Sequence, residues 1–146
     1  MYKIILLSLL LAPPVVFAAE DHDIGLTAHD MFDTRIPLGL SAPVRHRLLV
    51  NMRAQMYAVR AMIGLLAEQK SAKAARIARS GLGLNDEMRQ IYDLSNNDDF
   101  RRLGLAFHSS ATRLESALQS GDMKESLRTL HGTMGFCVQC HRKFRL

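Results

Sequence analysis

Two cysteines and a histidine near the end of the chain have the types and spacing that could do chemistry. Cys137 and Cys140 are the only cysteines among 146 residues, and His141 follows directly, so this segment reads CVQCH. The spacing is compatible with three kinds of chemistry: a redox-active disulfide, part of a metal site, or covalent attachment of a haem.

A redox-active Cys-x-x-Cys pair normally lies at a helix N-terminus that follows a strand, where the helix dipole lowers a thiol pKa. Here the pair is predicted near the C-terminal end of a helix, and the sequence has no strand pattern. A structural zinc site uses four protein ligands, usually from two such pairs, and the sequence has only one. Cys-x-x-Cys-His is instead the attachment signal of a c-type haem.

We therefore predict one covalent haem c. Positions i, i+3 and i+4 of a helix share a face, so Cys137 and Cys140 can form thioethers with the two vinyl groups of one porphyrin. On the same face, His141 is then predicted to be the proximal iron ligand.

The first residues predict export. MYKIILLSLLLAPPVVFAAE has one lysine, an apolar run and small residues before Glu20, as in a secretory signal peptide cut near Ala18. A retained membrane anchor is disfavoured, because the run is shorter than the ~20 residues that span a bilayer and Pro13-Pro14 interrupts it. We expect a periplasmic protein with no membrane span in its mature chain.

Composition and charge narrow the function classes. The net charge is +5, but no basic stretch is long or aromatic enough to predict nucleic-acid binding. Residues 19–40 are rich in Asp and His and show no long periodicity. We therefore divide the chain into a signal peptide at 1–18, an irregular N-terminal arm at 19–40 and a helical domain at 41–146.

The domain is predicted to be all-α, an antiparallel four-helix bundle with the haem site in its C-terminal helix. The first helix begins after Ser41-Ala42-Pro43. The second starts at Ser71, breaks at 80–85 and continues as a short piece over 86–94, and the third follows SNNDD. The fourth opens with Asp122 and Glu125 in the spacing of a capping box. The first helix carries apolar residues in steps of three and four, which predicts a core-facing stripe: Leu49, Met52, Met56, Val59, Ile63 and Leu66.

The same spacing along the fourth helix predicts a core-facing stripe with Cys140 just beside it: Met123, Leu127, Leu130, Met134, Cys137, His141 and Phe144. Gly132 and Gly135 lie within this helix, where each costs about 1 kcal/mol relative to alanine. Either a close neighbour, which would be a backbone or the porphyrin edge, requires the space, or the two glycines are merely tolerated.

The tail LESALQSGDMKESLRTLHGTMGFCVQCHRKFRL resembles the end of the class II c-type cytochromes, the cytochrome c prime group. The family ends in Cys-x-x-Cys-His-x-x-aromatic-Arg, which Phe144 and Arg145 complete here. The resemblance covers roughly residues 43–146 and is specific in the last forty. It implies a four-helix bundle with haem in the last helix, and a position for Arg145 on the proximal side of the haem.

The resemblance also implies that the sixth coordination position lies on the first helix, either as a methionine ligand or as a residue that leaves the iron open. Counting from the family's arginine, Arg45 points to Leu49, which cannot ligate. Counting back from the helix end points to Met52, with Met56 one turn further on. Methionines on such a stripe are more often core residues, so Met52 and Leu49 both remain candidates.

The function expected from these residues is single-electron transfer by a periplasmic cytochrome rather than an enzyme. Arg142, Lys143 and Arg145 would place positive charge near the haem edge and favour an acidic redox partner. The alternative is a five-coordinate haem protein that binds a small gas such as nitric oxide or carbon monoxide. The family resemblance makes a homodimer a further expectation.

Overall fold

The computed structural model describes residues 33–146. The predicted signal peptide and residues 19–32 of the predicted arm lie outside the described residues. The described part is 80% helical, which confirms the all-α class.

Within residues 33–146, five helices follow one another with short connections: α1 (Ala42–Ala67), α2 (Ser71–Leu82), α3 (Asp86–Leu94), α4 (Asp98–Ser120) and α5 (Met123–Lys143). The predicted break after α2 lies at Gly83, where the backbone becomes extended and α2 ends. Two short strands, β1 (Ile36–Pro37) and β2 (Phe144–Arg145), flank the helices and pair in parallel.

The helix ends follow their capping chemistry. Asn85, Asn97 and Asp122 each accept a bond from a backbone N–H three residues on, which satisfies one of the free donors of α3, α4 and α5. Asp122 forms its half of the predicted capping box, while the Glu125 carboxylate turns to Arg128 and Thr129. Gly121 ends α4 with a positive φ of 77°, a backbone conformation that favours glycine.

Two apolar clusters form the core. The larger joins α1, α2, α4 and α5 around Met62, Leu82, Leu114 and Leu118. The smaller surrounds Tyr92, and its other buried members are Leu38, Leu48, Met88, Ile91, Phe100 and Phe144. The pairs α1 with α2, α2 with α4 and α4 with α5 are in the closest contact, whereas α1 and α5 are not among the closely packed pairs of the described helices.

The faces that α1 and α5 turn to the core differ from the predicted stripes. On α1, Val59 and Leu66 are buried as predicted, but Met56 and Ile63 are exposed and Met62 is buried in their place. On α5, Leu127 and Met134 are largely exposed, while Ser126 and Thr133 are buried.

The buried hydroxyls on α5 have a physical explanation. Ser126 donates to the Ala117 carbonyl at 3.1 Å and Thr133 to the Thr129 carbonyl at 3.0 Å, so neither loses a hydrogen bond on burial. A pattern built from apolar residues alone does not include them, which is why the predicted stripe was rotated.

Candidate functional site

The three motif residues lie in the last two turns of α5. Both cysteines are free thiols and half-buried. Cys137 packs against the larger core cluster and Cys140 against the smaller one. His141 is exposed. The prediction that Cys137 lies on the core-facing side is confirmed, whereas His141, predicted on the same side, is exposed, and Cys140, predicted beside it, packs against the core.

A cleft of about 460 Å³ opens between α1 and α5 beside these residues. The α1 side contributes Met52, Gln55, Met56 and Val59, and Leu82 and Phe107 form the floor. The α5 side consists of Thr133, Met134, Cys137, Val138, His141 and Arg142. The size lies within the range of ligand pockets, about 300–1,000 Å³, and the lining is mostly apolar.

A narrower crevice lies beside the cleft, on the side of α3 and α4. It holds about 60 Å³ and shares several walls with the cleft, among them Met52, Cys137 and His141. Cys140 joins the lining here, together with Tyr92, Phe100, Leu103 and Gly104. Cys137, Cys140 and His141 therefore all line this largely apolar crevice.

Burial determines the protonation of the thiols. Desolvation raises the pKa of Cys137, and desolvation together with the neighbouring Cys137 raises the pKa of Cys140 to about 11. At neutral pH both are therefore protonated. A redox dithiol is activated by a lowered thiol pKa, so this environment is the opposite of the one that such chemistry requires.

The structure separates the candidates on α1. Met52 lines both the cleft and the crevice, whereas Met56 lines only the cleft and is 63% exposed. Leu49 lines neither space. Of the three, only Met52 shares both spaces with Cys137 and His141.

Gln55 was not recognised from the sequence. It lies three residues after Met52 on the same side of α1 and lines both spaces. Its amide is the polar group that α1 contributes there. The spacing of three from Met52 could have identified it, had the polar neighbours of the apolar stripe been considered.

Arg145 lies at the end of β2, paired with the strand that precedes α1. Its Nε donates to the Arg35 carbonyl at 3.3 Å, and its carbonyl accepts from Leu38 N at 3.0 Å. The Arg35 guanidinium in turn donates to the His141 carbonyl at 3.4 Å. Arg145 is not a lining residue of the cleft or the crevice. The strand pairing was not predicted, since a two-residue strand has no periodicity to detect.

The cations of the tail differ in their surroundings. Lys143 Nζ lies 2.5 Å from Asp99 Oδ2, and Arg102 bonds the other oxygen of the same carboxylate. Both bonds hold the pKa of Asp99 below its usual value. Arg142 lines the cleft and has no ion pair among residues 33–146.

Gly132 and Gly135 are not in close contact with another part of the described chain. A Cβ built at either position would have no protein atom within 4 Å. This excludes the explanation that a neighbouring part of the described chain requires the space.

Among residues 33–146, no three His, Cys, Asp or Glu side chains are grouped so that they could hold a metal ion. A haem differs from such a site because the porphyrin brings four nitrogen ligands of its own. No helix in the same range is long and apolar enough to cross a membrane. Comparisons with family models, with characterised proteins and with solved structures found no match to this chain.

Proposed function

We propose that this chain is a monohaem c-type cytochrome that transfers single electrons. The observation that supports this most directly is that Cys137, Cys140 and His141 line the same crevice as Met52. In the proposed site the two thiols would hold the haem through thioethers, and His141 and Met52 would be the protein ligands of its iron.

The residues present fit such a group. The cleft is apolar enough for a porphyrin ring and open enough to leave one edge near solvent. Arg142 at its mouth is the cation that could pair with the carboxylates of the cofactor. When bound, the haem would supply a one-electron redox centre whose potential depends on its axial ligands and burial.

The fold class proposed with this function is an antiparallel four-helix bundle of the class II cytochrome type, exported to the periplasm. The lining of the cleft supports opposite directions for α1 and α5. The α1 residues that line the cleft lie between Met52 and Val59, and the α5 residues lie between Thr133 and Arg142. Met52, at the start of the α1 range, and His141, near the end of the α5 range, also line the crevice together, so the earlier part of α1 lies beside the later part of α5. The export signal is supported by the sequence of residues 1–18.

Electron transfer is favoured over an enzymatic role. The lining of the cleft and crevice includes no carboxylate, and the buried His108 is fully hydrogen-bonded. A general acid or base must reach a reacting group, and apart from the motif residues the lining offers only Tyr92, whose hydroxyl is bonded to His108 and whose pKa is raised by burial. The alternative function, binding of a small gas at an open iron, requires that Met52 does not coordinate.

The deciding experiment is a haem assay on the exported protein. Acid-acetone extraction should leave the haem on the chain, and the pyridine haemochrome should match two thioether bonds. The Cys137→Ala/Cys140→Ala variant should lose the covalent haem, and Ser126→Ala, which alters α5 outside the motif, should keep it. Absence of haem from the exported wild-type protein would refute the proposal.

The same sample separates electron transfer from gas binding. A low-spin ferric spectrum with a methionine-to-iron charge-transfer band is expected if Met52 coordinates. A high-spin spectrum with rapid carbon monoxide binding would instead support the gas-binding function.

A further inference from the structure

We infer that the rim of the cleft is a docking surface for an acidic partner protein with an apolar centre. We define the cleft rim as the exposed lining residues Met56, Met134, Val138 and Arg142 together with the exposed residues that flank them at helical spacing, Arg53, Arg60 and Ile63 on α1 and Leu127 and His131 on α5. This inference rests on the proposed function, since it locates where electrons would enter or leave the haem.

The centre of the cleft rim is apolar and unpartnered within the described chain. Met56 and Val138 are 63% and 57% exposed, and both line the cleft. Ile63, one turn beyond Val59, and Leu127, two turns before Met134, extend the two sides and are about half exposed. Contiguous exposed apolar residues bordered by polar ones are typical of an interaction site.

The charges around this centre have one sign. Helix α1 contains no Asp or Glu, and α5 contains none after Glu125. Among residues 33–146, Arg53, Arg60 and Arg142 form no ion pair. The neighbouring Glu87 on α3 is bonded to Asn51, on the side of α1 away from the rim. Arg53 and Arg60, which do not line the cleft, would therefore meet carboxylates on a partner.

This location differs from the one predicted from the sequence. Lys143 shares Asp99 with Arg102, and the Arg145 guanidinium bonds the Arg35 carbonyl. The cations at the C-terminal tip are thus partly occupied within the chain, while those of the cleft rim are not. Charge that is not compensated locally contributes most to partner attraction.

A second copy of the chain fits this surface poorly. A twofold dimer presents the same patch on both subunits, so Arg53 and Arg60 of one copy would approach the cations of the other. Like charges opposed across an interface are unfavourable. An acidic partner satisfies both features of the rim, the cations and the apolar centre.

The experiment uses gold electrodes coated with alkanethiol films that end in a mixture of carboxylate and methyl groups. Amine-terminated films, which carry the opposite charge, are the control. Haem content is measured first, so a chain without haem refutes the proposed function. Surface plasmon resonance on the same films measures binding without haem, which keeps the docking inference testable in that case.

Binding to the carboxylate–methyl film should weaken about fivefold in Arg53→Gln/Arg60→Gln, as expected for the loss of two exposed ion pairs. The matched control, Arg76→Gln/Arg113→Gln, removes the same charge from α2 and α4 and should bind like wild type. Equal losses in the two variants would mean that only net charge matters, and the inference would be overturned.

The apolar centre is tested separately with Ile63→Ser/Leu127→Ser, neither of which lines the cleft. This variant should lose binding to the mixed film but not to a pure carboxylate film. Leu94→Ser/Leu105→Ser, two exposed leucines on α3 and α4, is the control. Unchanged binding of the rim variant, or a wild-type dimer in sedimentation that it converts to monomer, would overturn the inference.

Discussion

The hydroxyl of Tyr92 lies 3.0 Å from Nε2 of the buried His108. The other ring nitrogen, Nδ1, lies 2.7 Å from the Leu82 carbonyl, which can only accept. Nδ1 therefore carries the hydrogen, and in the neutral ring Nε2 accepts from the tyrosine. Because Tyr92 also lines the crevice, this pair fixes one wall of the proposed haem site.

His108 should make stability depend on pH. Burial lowers its pKa, opposed by the bond to Leu82, so the folded state keeps it neutral where the unfolded chain takes up a proton. Its contribution is fully present above the unfolded pKa of about 6.5 and is lost as pH falls toward the lower folded value. We expect urea unfolding to show a steeper loss below pH 6.5 in wild type than in His108→Gln. Parallel pH profiles would contradict this.

Substitutions of Met52 and Met56 should have different effects on the haem spectrum, although the two residues are one turn apart. Met52→Ala should remove the methionine charge-transfer band, raise the spin state of the ferric haem and increase affinity for carbon monoxide. Met56→Ala should leave the spectrum unchanged and cost well under the 2–5 kcal/mol of a buried methionine, because Met56 is 63% exposed. Optical spectra and urea unfolding measure both effects, with Leu49→Ala as the control for the other proposed register. A spectrum unaltered by Met52→Ala would remove Met52 as the ligand.

Gly104 should not tolerate a side chain. A Cβ at this position would lie 2.5 Å from the Tyr92 hydroxyl oxygen, and such overpacking typically costs about 1–3 kcal/mol. Gly132→Ala is the matched control, since its Cβ meets nothing within 4 Å and the helix gains about 1 kcal/mol. Thermal unfolding of both variants should show opposite shifts of the midpoint. A stabilised Gly104→Ala would mean that the Tyr92 ring can move without cost.

Lys143 should contribute little to partner steering. Its ammonium lies beside Asp99, so Lys143→Gln removes a charge that is largely compensated within the chain. Stopped-flow electron transfer to an acidic partner should keep its dependence on salt in this variant, and Arg53→Gln/Arg60→Gln should reduce it. A larger effect at Lys143 than at the rim would place docking at the C-terminal tip.

The helix order could be predicted from the sequence because capping residues and breaks act locally. Asn97 caps α4 and Asp122 caps α5, each at the helix start that the sequence predicted, and Gly83 ends α2. The orientation of each helix was harder to predict, because burial of Thr133 or exposure of Met56 depends on neighbouring helices rather than on residue type. For the site, the motif alone identified Cys137, Cys140 and His141, whereas the choice of Met52 over Leu49 as a lining residue required the cleft.

The pairing of Ile36 with Phe144 also orders events during synthesis. Strand β1 cannot pair until the last residues of the chain have been made, because more than a hundred residues separate it from β2. Closing so long a loop costs on the order of 4 kcal/mol of chain entropy, which the helices reduce by folding first. The hydrogen bonds that join Arg35 and Leu38 to Arg145 therefore form late in folding, and they hold the first described residues against the end of the chain.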